Sequence, residues 1–277
     1  MEVKRIMSSI LTFFKSFRMK IRPLYGSTVS ETRDNLIIRA YFASILNNSH
    51  FDNRRATVFL IHGWLGDGNN TMNRLLINAF LKNSTTNVIV VDWGYLASFN
   101  YITSSLAVAG VGDEVGMFIE WLTGFGLSYE NVHIVGFSLG GHVAGCAGRK
   151  VGSRVRRITA LDPAGLLWYN LPGRLSKADA EYVEVIHTNS RLFGMMEPCG
   201  DADFYPNGGA SMPDCWVNMC SHSMAYAYMA ESVLYNNMIA QSCKQLNVGI
   251  TKKSGVRVND LYVLGIVTRY AVTVQSP

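Results

Sequence analysis

The sequence predicts an α/β fold, with a mostly parallel central sheet and helices on both of its faces. Short β-rich apolar runs alternate with stretches of helical character along the chain. These runs are apolar throughout rather than at every second position, which is typical of parallel strands buried on both faces. Hydrophobic residues make up 48% of the 277 residues and charged residues only 16%, so the chain can bury a large core.

The elements follow one another in a regular order. The predicted strands are 56–63, 87–93, 131–136, 156–162 and 182–188, with two more within 255–274. The predicted helices are 71–82, 103–123, 139–150 and 222–240, and residues 189–220 are predicted to be rich in loops. Five polar residues lie at or just past the ends of strands: His62, Asp92, Ser138, Asp162 and His187. Because sites in open sheets of this class form at the carboxyl ends of strands, these residues are the first candidates for a site.

Residues 25–277 are predicted to form one domain, because no repeat, low-complexity tract or Pro/Ser-rich linker divides them. Residues 1–24 are ambiguous. Lys4 and Arg5 precede a short apolar segment, as in a secretory signal, but more basic residues follow where a cleavage site is expected. The apolar residues also fall at helical spacing, which is typical of a basic amphipathic helix on a membrane. A degenerate signal or signal-anchor is the favoured interpretation, and a helix that caps the core is the alternative. No apolar run of about 18 residues is present to span a bilayer.

The charge distribution argues against a nucleic-acid partner, and the cysteine spacing argues against a zinc site. The formal net charge is +5, but the basic residues are scattered except near the amino terminus and around 149–157. Nucleic-acid-binding proteins usually show a denser basic stripe, so no nucleic-acid partner is predicted. Affinity for anionic membrane surfaces stays open. The five cysteines include no C-x-x-C and no zinc-ligand spacing, so neither a metal nor another cofactor is predicted.

The stretch NVHIVGFSLGGHVAG at 131–145 carries the main chemical motif. Ser138 lies in a G-x-S-x-G pattern between a predicted strand and a predicted helix, with Gly136 and Gly140 two residues to either side. A serine on such a tight turn presents its Oγ above the sheet, and the crowded turn requires small neighbours. Glycines that only let helix and sheet approach would leave Ser138 without a role. Ser138 is therefore predicted to be a nucleophile, which needs a base and an orienting carboxylate.

Candidates for the acid and the base follow Ser138 in the chain, since hydrolases with this motif have the order Ser, acid, His. Asp162 ends a predicted strand and is fixed by Pro163, whereas Asp92 precedes the serine and is predicted to be structural. Both His187 and His222 are possible bases. His222 is favoured because it follows a cysteine on a loop at the entry to a helix, from which it could reach across to the nucleophile.

An oxyanion hole is predicted from the stretch IHGWLGDG at 61–68, which follows the first clear strand. Loops that contain His-Gly at this point supply one backbone N–H to the developing oxyanion, and the residue after the nucleophile supplies the other. The two predicted donors are therefore the N–H groups of Trp64 and Leu139. The alternative is that the glycines only allow the loop to turn and that no oxyanion is bound there.

Taken together, these stretches resemble the pancreatic (neutral) lipase family of α/β-hydrolases, from residue 35 to the end of the chain. The matching stretches, in order, are HGWLGDGNN, VIVVDW, VGFSLGGHVAG, ALDPAG, DAEYVEVIHTN, DFYPNGG and the CSH that contains His222. The resemblance implies a catalytic triad of Ser138, Asp162 and His222, with the oxyanion hole at Trp64 and Leu139. It also implies a carboxylic ester hydrolase. The chain ends too soon for the C-terminal β-sandwich that many members carry.

The family's calcium loop corresponds to LPGRLSKAD at 171–179. Arg174 and Asp179 are retained there, but Leu171 and Ser176 stand at positions where the family has carboxylates. A hard cation needs several oxygen ligands, so calcium is not expected.

The resemblance also bears on the substrate. In the family a lid lies between two cysteines before the catalytic histidine, and here Cys215 and Cys220 enclose only WVNM. Four residues cannot form an amphipathic flap, and the stretch between His187 and Phe204, the other wall of the cleft, is also short. In the family, loss of both walls accompanies phospholipase A1 activity. The favoured function is therefore a phospholipase A1 that acts on phospholipid at a membrane or lipid interface, without an obligate protein partner. Hydrolysis of triacylglycerol or galactolipid is the alternative, and a non-catalytic yolk-like or carrier lipid-binding protein is a third possibility.

The cysteines and the possible signal favour a secreted, extracellular protein. Cys215 and Cys220 are predicted to form a disulfide, because residues five positions apart on a loop can reach bridging distance. Cys146 is predicted to be unpaired and buried as a small hydrophobic residue. Pairing of Cys199 with Cys243 is left open.

Overall fold

The computed structural model describes residues 49–169, 171–236, 238 and 240, together with the backbone of Arg18–Ile21. Its centre is a seven-stranded sheet in the order β1-β3-β2-β4-β5-β6-β7. The strands are β1 Arg18–Ile21, β2 Thr57–Ile61, β3 Asn87–Asp92, β4 Val132–Phe137, β5 Arg157–Leu161, β6 Val183–Ile186 and β7 Ala202–Phe204. Strands β2 to β7 are parallel to their neighbours, and β1 pairs antiparallel with β3 at the edge. The predicted α/β class is confirmed.

Five α-helices lie on the two faces of the sheet within the described residues. They are α1 Thr71–Asn83, α2 Gly94–Ala97, α3 Tyr101–Thr123, α4 Leu139–Lys150 and α5 Asn218–Tyr235. Helices α3 and α4 pack together on one face and α1 and α5 on the other. The residues of β2 and β5 are buried at every position, which explains why their sequences are apolar without alternation.

Side-chain caps explain where two helices begin. The side chain of Asn70 accepts a hydrogen bond from the N–H of Asn73 at the start of α1. Asn100 caps α3 in the same way through the N–H of Thr103, so that helix begins two residues before the predicted start. By length and composition α3 could cross a membrane, but one of its faces packs against α4 within the core.

Several elements differ from the prediction or lie beyond it. Helix α5 begins at Asn218 rather than at 222, because the backbone of Val217 already accepts bonds from Cys220 and Ser221. Strand β7 falls in the stretch that was expected to be loops. Strand β1 was not predicted, and a helix in the amino-terminal segment would have to end before Arg18. The remainder of residues 1–24 and the two strands expected within 255–274 lie outside the described residues.

Two glycines on α3 allow α3 and α4 to pack in close contact. A Cβ at Gly112 would lie 2.2 Å from Cβ of Cys146 and 2.9 Å from the carbonyl oxygen of Val143. A Cβ at Gly116 would lie 2.5 Å from Cβ of Lys150. Gly110, on the exposed side of the same helix, has nothing within 4 Å of the corresponding position.

Gly112→Ala is expected to lower the free energy of unfolding by about 1–3 kcal/mol, because the added methyl group forces α3 away from α4. Gly110→Ala is the matched control on the same helix, and it should raise the free energy of unfolding by up to about 1 kcal/mol through helix propensity alone. Urea unfolding of both variants measures the difference. Equal effects of the two substitutions would show that the contact between α3 and α4 is not tight.

Candidate active site

Ser138 occupies an abrupt turn between β4 and α4. Its φ of 55° and ψ of −121° lie outside the conformations that ordinary residues adopt, at a cost of about 1–3 kcal/mol. A Cβ at Gly136 would lie 2.1 Å from the carbonyl oxygen of Gly140, and one at Gly140 would lie 2.3 Å from that of Ile61. The two glycines therefore allow the helix to begin with only Ser138 between it and the strand. Ser138 N–H donates to the carbonyl oxygen of Leu161 at 3.0 Å, which ties the turn to β5.

Asp162 follows the end of β5 and is fully buried. Its Oδ2 lies 2.5 Å from Nδ1 of His222. Its Oδ1 accepts hydrogen bonds from the backbone N–H groups of Thr188 at 2.7 Å and Asn189 at 3.0 Å. Three donors thus hold the carboxylate in place. With Nδ1 donating to Asp162, the Nε2 atom of His222 is left to accept a proton.

His222 lies on α5 rather than on the loop that the sequence suggested, because the helix begins four residues earlier. Its ring is buried between two phenylalanines, with ring centroids 4.6 Å from Phe137 and 5.5 Å from Phe193. Phe137 immediately precedes Ser138, so this contact brings the imidazole to the serine turn. Phe193 was not singled out in the sequence, because nothing in its local pattern marks it.

His187, the other candidate base, has both ring nitrogens engaged elsewhere. Its Nε2 lies 2.7 Å from Oδ1 of Asp203, and its Nδ1 lies 2.8 Å from the carbonyl oxygen of Met195. The ring also stacks on Tyr205 at 4.2 Å between centroids. His187 is therefore not placed to accept a proton from Ser138. The structure brings His222, and not His187, to Asp162.

The loop after β2 lies against the serine. A Cβ at Gly63 would be 2.8 Å from Cβ of Ser138, so only a glycine permits this approach. Among residues 49–169 and 171–236, nothing accepts a hydrogen bond from the backbone N–H of Trp64 or Leu139. Leu139 also opens α4, whose amino terminus carries a partial positive charge. Both N–H groups at the predicted oxyanion positions are thus available to a ligand.

Large hydrophobic side chains are exposed on the loops and helical segments that follow the carboxyl ends of the strands. They come from the loop after β2, from α2 and the start of α3, and from the loops after β5 and β6. They are Trp64, Leu65, Tyr95, Phe99, Ile102, Leu106, Leu166, Leu167, Tyr169, Leu192 and Phe193. We call this set the apolar rim. Exposed apolar side chains on neighbouring loops are typical of a surface that binds another molecule.

The loop between Cys215 and Cys220 adds to this surface. The structure joins the two cysteines in a disulfide. Trp216 between them is 97% exposed and so covers nothing, and Val217 and Met219 are also exposed. The side chain of Asn218 accepts a hydrogen bond from Asn189, which links the disulfide loop to the loop that holds Asp162.

The residues at 171–179 do not fit a calcium ion. Asp179 Oδ2 accepts hydrogen bonds from the guanidinium of Arg149 at 2.5 Å and from the N–H of Ser176 at 2.9 Å, and its Oδ1 accepts from the Ser176 hydroxyl. Arg149 also donates to the carbonyl oxygen of Gly173 at 2.8 Å. The carboxylate and the loop are therefore held by a cationic side chain. No group of three His, Cys, Asp or Glu that could hold a metal occurs among the described residues.

The chain was compared with known proteins. A family model described as Lipase matches residues 27–248. Pancreatic triacylglycerol lipase of Myocastor coypus is 34% identical over 268 residues, which cover 83% of this chain and 58% of that protein. Lipoprotein lipase of Rattus norvegicus is 40% identical over 183 residues, 62% of this chain and 39% of the relative. Pancreatic lipase-related protein 2 of Mus musculus is 37% identical over 226 residues, 72% of this chain and 47% of the relative. The chain thus spans only part of the length of each of these relatives.

Cys146 is expected to resist alkylation while the protein is folded. The side chain is buried, and burial raises the pKa of its thiol above the usual range, so little of the reactive thiolate forms. Iodoacetamide followed by mass mapping should leave Cys146 unmodified in the native protein and modify it after unfolding without reductant. Modification of Cys146 at the same rate in both states would contradict this environment. Cys199 is likewise free and buried among the described residues, whereas Cys243 lies outside them.

Proposed function

The chain belongs to the pancreatic-type lipase family, and from this premise we propose that it is a serine ester hydrolase that acts on lipids. The observation that carries the proposal is the hydrogen bond between Asp162 and His222 beside the strained Ser138 turn. A nucleophile, a base and an orienting carboxylate are the three groups that ester hydrolysis through an acyl-enzyme needs.

In the proposed mechanism, Oγ of Ser138 attacks the ester carbonyl while Nε2 of His222 takes its proton. The resulting oxyanion is stabilised by the N–H groups of Trp64 and Leu139. Collapse of the tetrahedral intermediate breaks the ester bond, and His222 gives the proton to the leaving alcohol. Water then attacks the acyl-enzyme with the same general base, which releases the fatty acid and restores Ser138.

Asp162 has two tasks in this mechanism. Its hydrogen bond to Nδ1 fixes the tautomer of His222 in which Nε2 can accept the serine proton. Its negative charge then stabilises the imidazolium that forms once the proton has moved. The N–H groups of Thr188 and Asn189 hold the carboxylate in position while this charge develops nearby.

The apolar rim supports a lipid as the substrate. A water-soluble ester would need no such surface, whereas a protein that docks on a lipid interface can place exposed side chains such as Leu106 and Leu166 among the acyl chains. The disulfide loop supports an extracellular location, because disulfides persist in oxidising compartments.

Within this class we favour a phospholipase A1. The loop between Cys215 and Cys220 is four residues long, and its Trp216 projects into solvent instead of folding over the serine. A cleft without an apolar flap can admit a charged headgroup that such a flap would exclude. Hydrolysis of triacylglycerol is the second candidate, and the observation that favours it is the name of the relative that matches over 83% of this chain.

Ser138→Ala is expected to lower ester hydrolysis by several orders of magnitude without unfolding the chain, because it removes the nucleophile. A fluorophosphonate probe should label Ser138 in the wild-type protein and should not label the variant. A non-catalytic lipid carrier would not react with the probe. Turnover of a short-chain ester by Ser138→Ala at the wild-type rate would overturn the assignment.

His222→Ala and His187→Ala form a matched pair of variants. Both remove a buried imidazole that is hydrogen-bonded to an aspartate, but only His222 lies beside the serine turn. Per folded molecule, the loss of turnover should be far larger for His222→Ala, and circular dichroism gives the folded fraction. The opposite order would make His187 the base.

Phosphatidylcholine labelled separately on its two acyl chains tests the substrate. The expected result is release of the sn-1 label first, with or without added calcium, because no metal is needed to open or polarise the site. Release of the sn-2 label first would reject a phospholipase A1. Rapid hydrolysis of triolein with intact phospholipid would favour triacylglycerol as the substrate and leave the serine chemistry unchanged.

A further inference from the structure

His62 belongs to the stretch 61–68 that carries the predicted oxyanion donor Trp64, and its side chain is fully buried. Its Nδ1 is 2.9 Å from the carbonyl oxygen of Gly63. Its Nε2 is 3.2 Å from the backbone nitrogen of Trp93. Neither the triad nor the oxyanion hole described above includes this side chain.

The partners of the ring fix its tautomer. A backbone N–H can only donate, so Nε2 must accept from Trp93 and carries no proton. Asp92 Oδ1 lies 3.6 Å from Nε2, which is too far for a hydrogen bond. A carbonyl oxygen can only accept, so Nδ1 carries the proton and donates it to Gly63. The imidazole thus points its Nδ1–H at the carbonyl group of Gly63.

This hydrogen bond orients the peptide that joins Gly63 to Trp64. The carbonyl oxygen of Gly63 also accepts from the N–H of Gly66 at 3.1 Å, so two donors hold it on one side. The described residues contain no cis peptide bond, and in a trans peptide the C=O and N–H groups point in opposite directions. Because the ring holds the carbonyl group, the N–H of Trp64 must point away from His62.

The imidazole is packed against Trp93 and against the glycines of its own loop. It stacks on the indole of Trp93 with ring centroids 5.6 Å apart, and the indole N–H donates to the carbonyl oxygen of His62 at 2.7 Å. A Cβ at Gly66 would lie 2.7 Å from Nδ1, and one at Gly68 would lie 2.8 Å from Asp92 Oδ2. The glycines of the loop therefore leave just enough space for it to wrap around the ring.

We propose that His62 is a positioning residue for the oxyanion hole: through Gly63 it sets the direction of the Trp64 N–H toward the ester oxyanion. The inference rests on the proposed function, since it assigns a role within the same site. His62 does not touch the substrate and exchanges no proton with it. Its contribution should therefore appear in the stabilisation of the transition state and hardly at all in substrate binding.

Three variants of His62 separate this role from simple packing. In His62→Asn, the amide nitrogen can occupy the position of Nδ1 and still donate to Gly63. In His62→Gln, the longer amide reaches the position of Nε2, where it can accept from Trp93 but cannot hold Gly63. His62→Ala removes both contacts. The substrate is a soluble short-chain p-nitrophenyl ester, so binding to an interface does not limit the rate.

The expected result is a loss in kcat of about 10²-fold for His62→Ala and for His62→Gln, close to that of removing an oxyanion donor, with little change in KM. His62→Asn should retain kcat within about tenfold of the wild-type value. Circular dichroism and thermal unfolding correct each value for the folded fraction. Equal kcat for His62→Asn and His62→Gln, or losses expressed mainly in KM, would overturn the proposal.

Nitrogen-15 NMR of histidine-labelled wild-type protein provides a test that does not depend on activity. It should show His62 as a neutral ring protonated at Nδ1, and protonation at Nε2 would overturn the positioning role. Failure of the proposed function can be distinguished from failure of the positioning role. If the proposed function is wrong, the wild-type protein will not react with the fluorophosphonate probe, whatever the protonation of His62.

Discussion

The candidate site depends on one steric constraint, the close approach of β4, α4 and β2 around Ser138. Glycine at 136 and 140 lets the helix start with a single residue between it and the strand, and no residue with a Cβ could replace either glycine without moving the backbone. The abrupt turn forces Ser138 into a left-handed conformation. This strain persists because the strands and helix that flank it are buried and cannot relax. The position of Ser138 is therefore a consequence of packing, before any hydrogen bond is considered.

The order of strands brings the remaining groups to that turn. Strands β2, β4, β5 and β6 are neighbours in the sheet, and each carries one part of the site just beyond its carboxyl end. The loop after β2 supplies Trp64, the turn after β4 supplies Ser138, and Asp162 comes directly after β5. The residues after β6 supply the N–H groups that hold the carboxylate. Only His222 comes from a helix that is distant in sequence, and its contacts with Phe137 and Asp162 are long-range.

Much of this could be predicted from the sequence because the determining features are local. Buried parallel strands are apolar at every position, and a serine turn needs its glycines within two residues. The core strands and the tight turn at Ser138 were therefore predicted correctly, while the role of Ser138 as a nucleophile stays a prediction. Strand β7 was missed because it has three residues and carries Asp203 in its middle, whose carboxylate is paired with His187 across the chain. The start of α5 was placed too late because no side chain caps it. Long-range pairs and uncapped helix ends produce no local pattern in the sequence, so they could not be predicted from it.

The choice of base illustrates the limit most clearly, since residue type alone cannot separate one histidine from another. In His62, His142 and His187 both ring nitrogens have hydrogen-bond partners within the fold. Neither nitrogen of these rings is therefore available for proton transfer. Burial lowers the pKa of His142 to about 3, so that ring stays neutral at any physiological pH. In His222, Nδ1 is engaged by Asp162, while nothing in the described part of the chain occupies Nε2. An imidazole can serve as a general base only through a nitrogen that the fold has not already used. By that criterion, His62, His142 and His187 are structural, and His222 is the candidate whose Nε2 the fold leaves able to accept a proton.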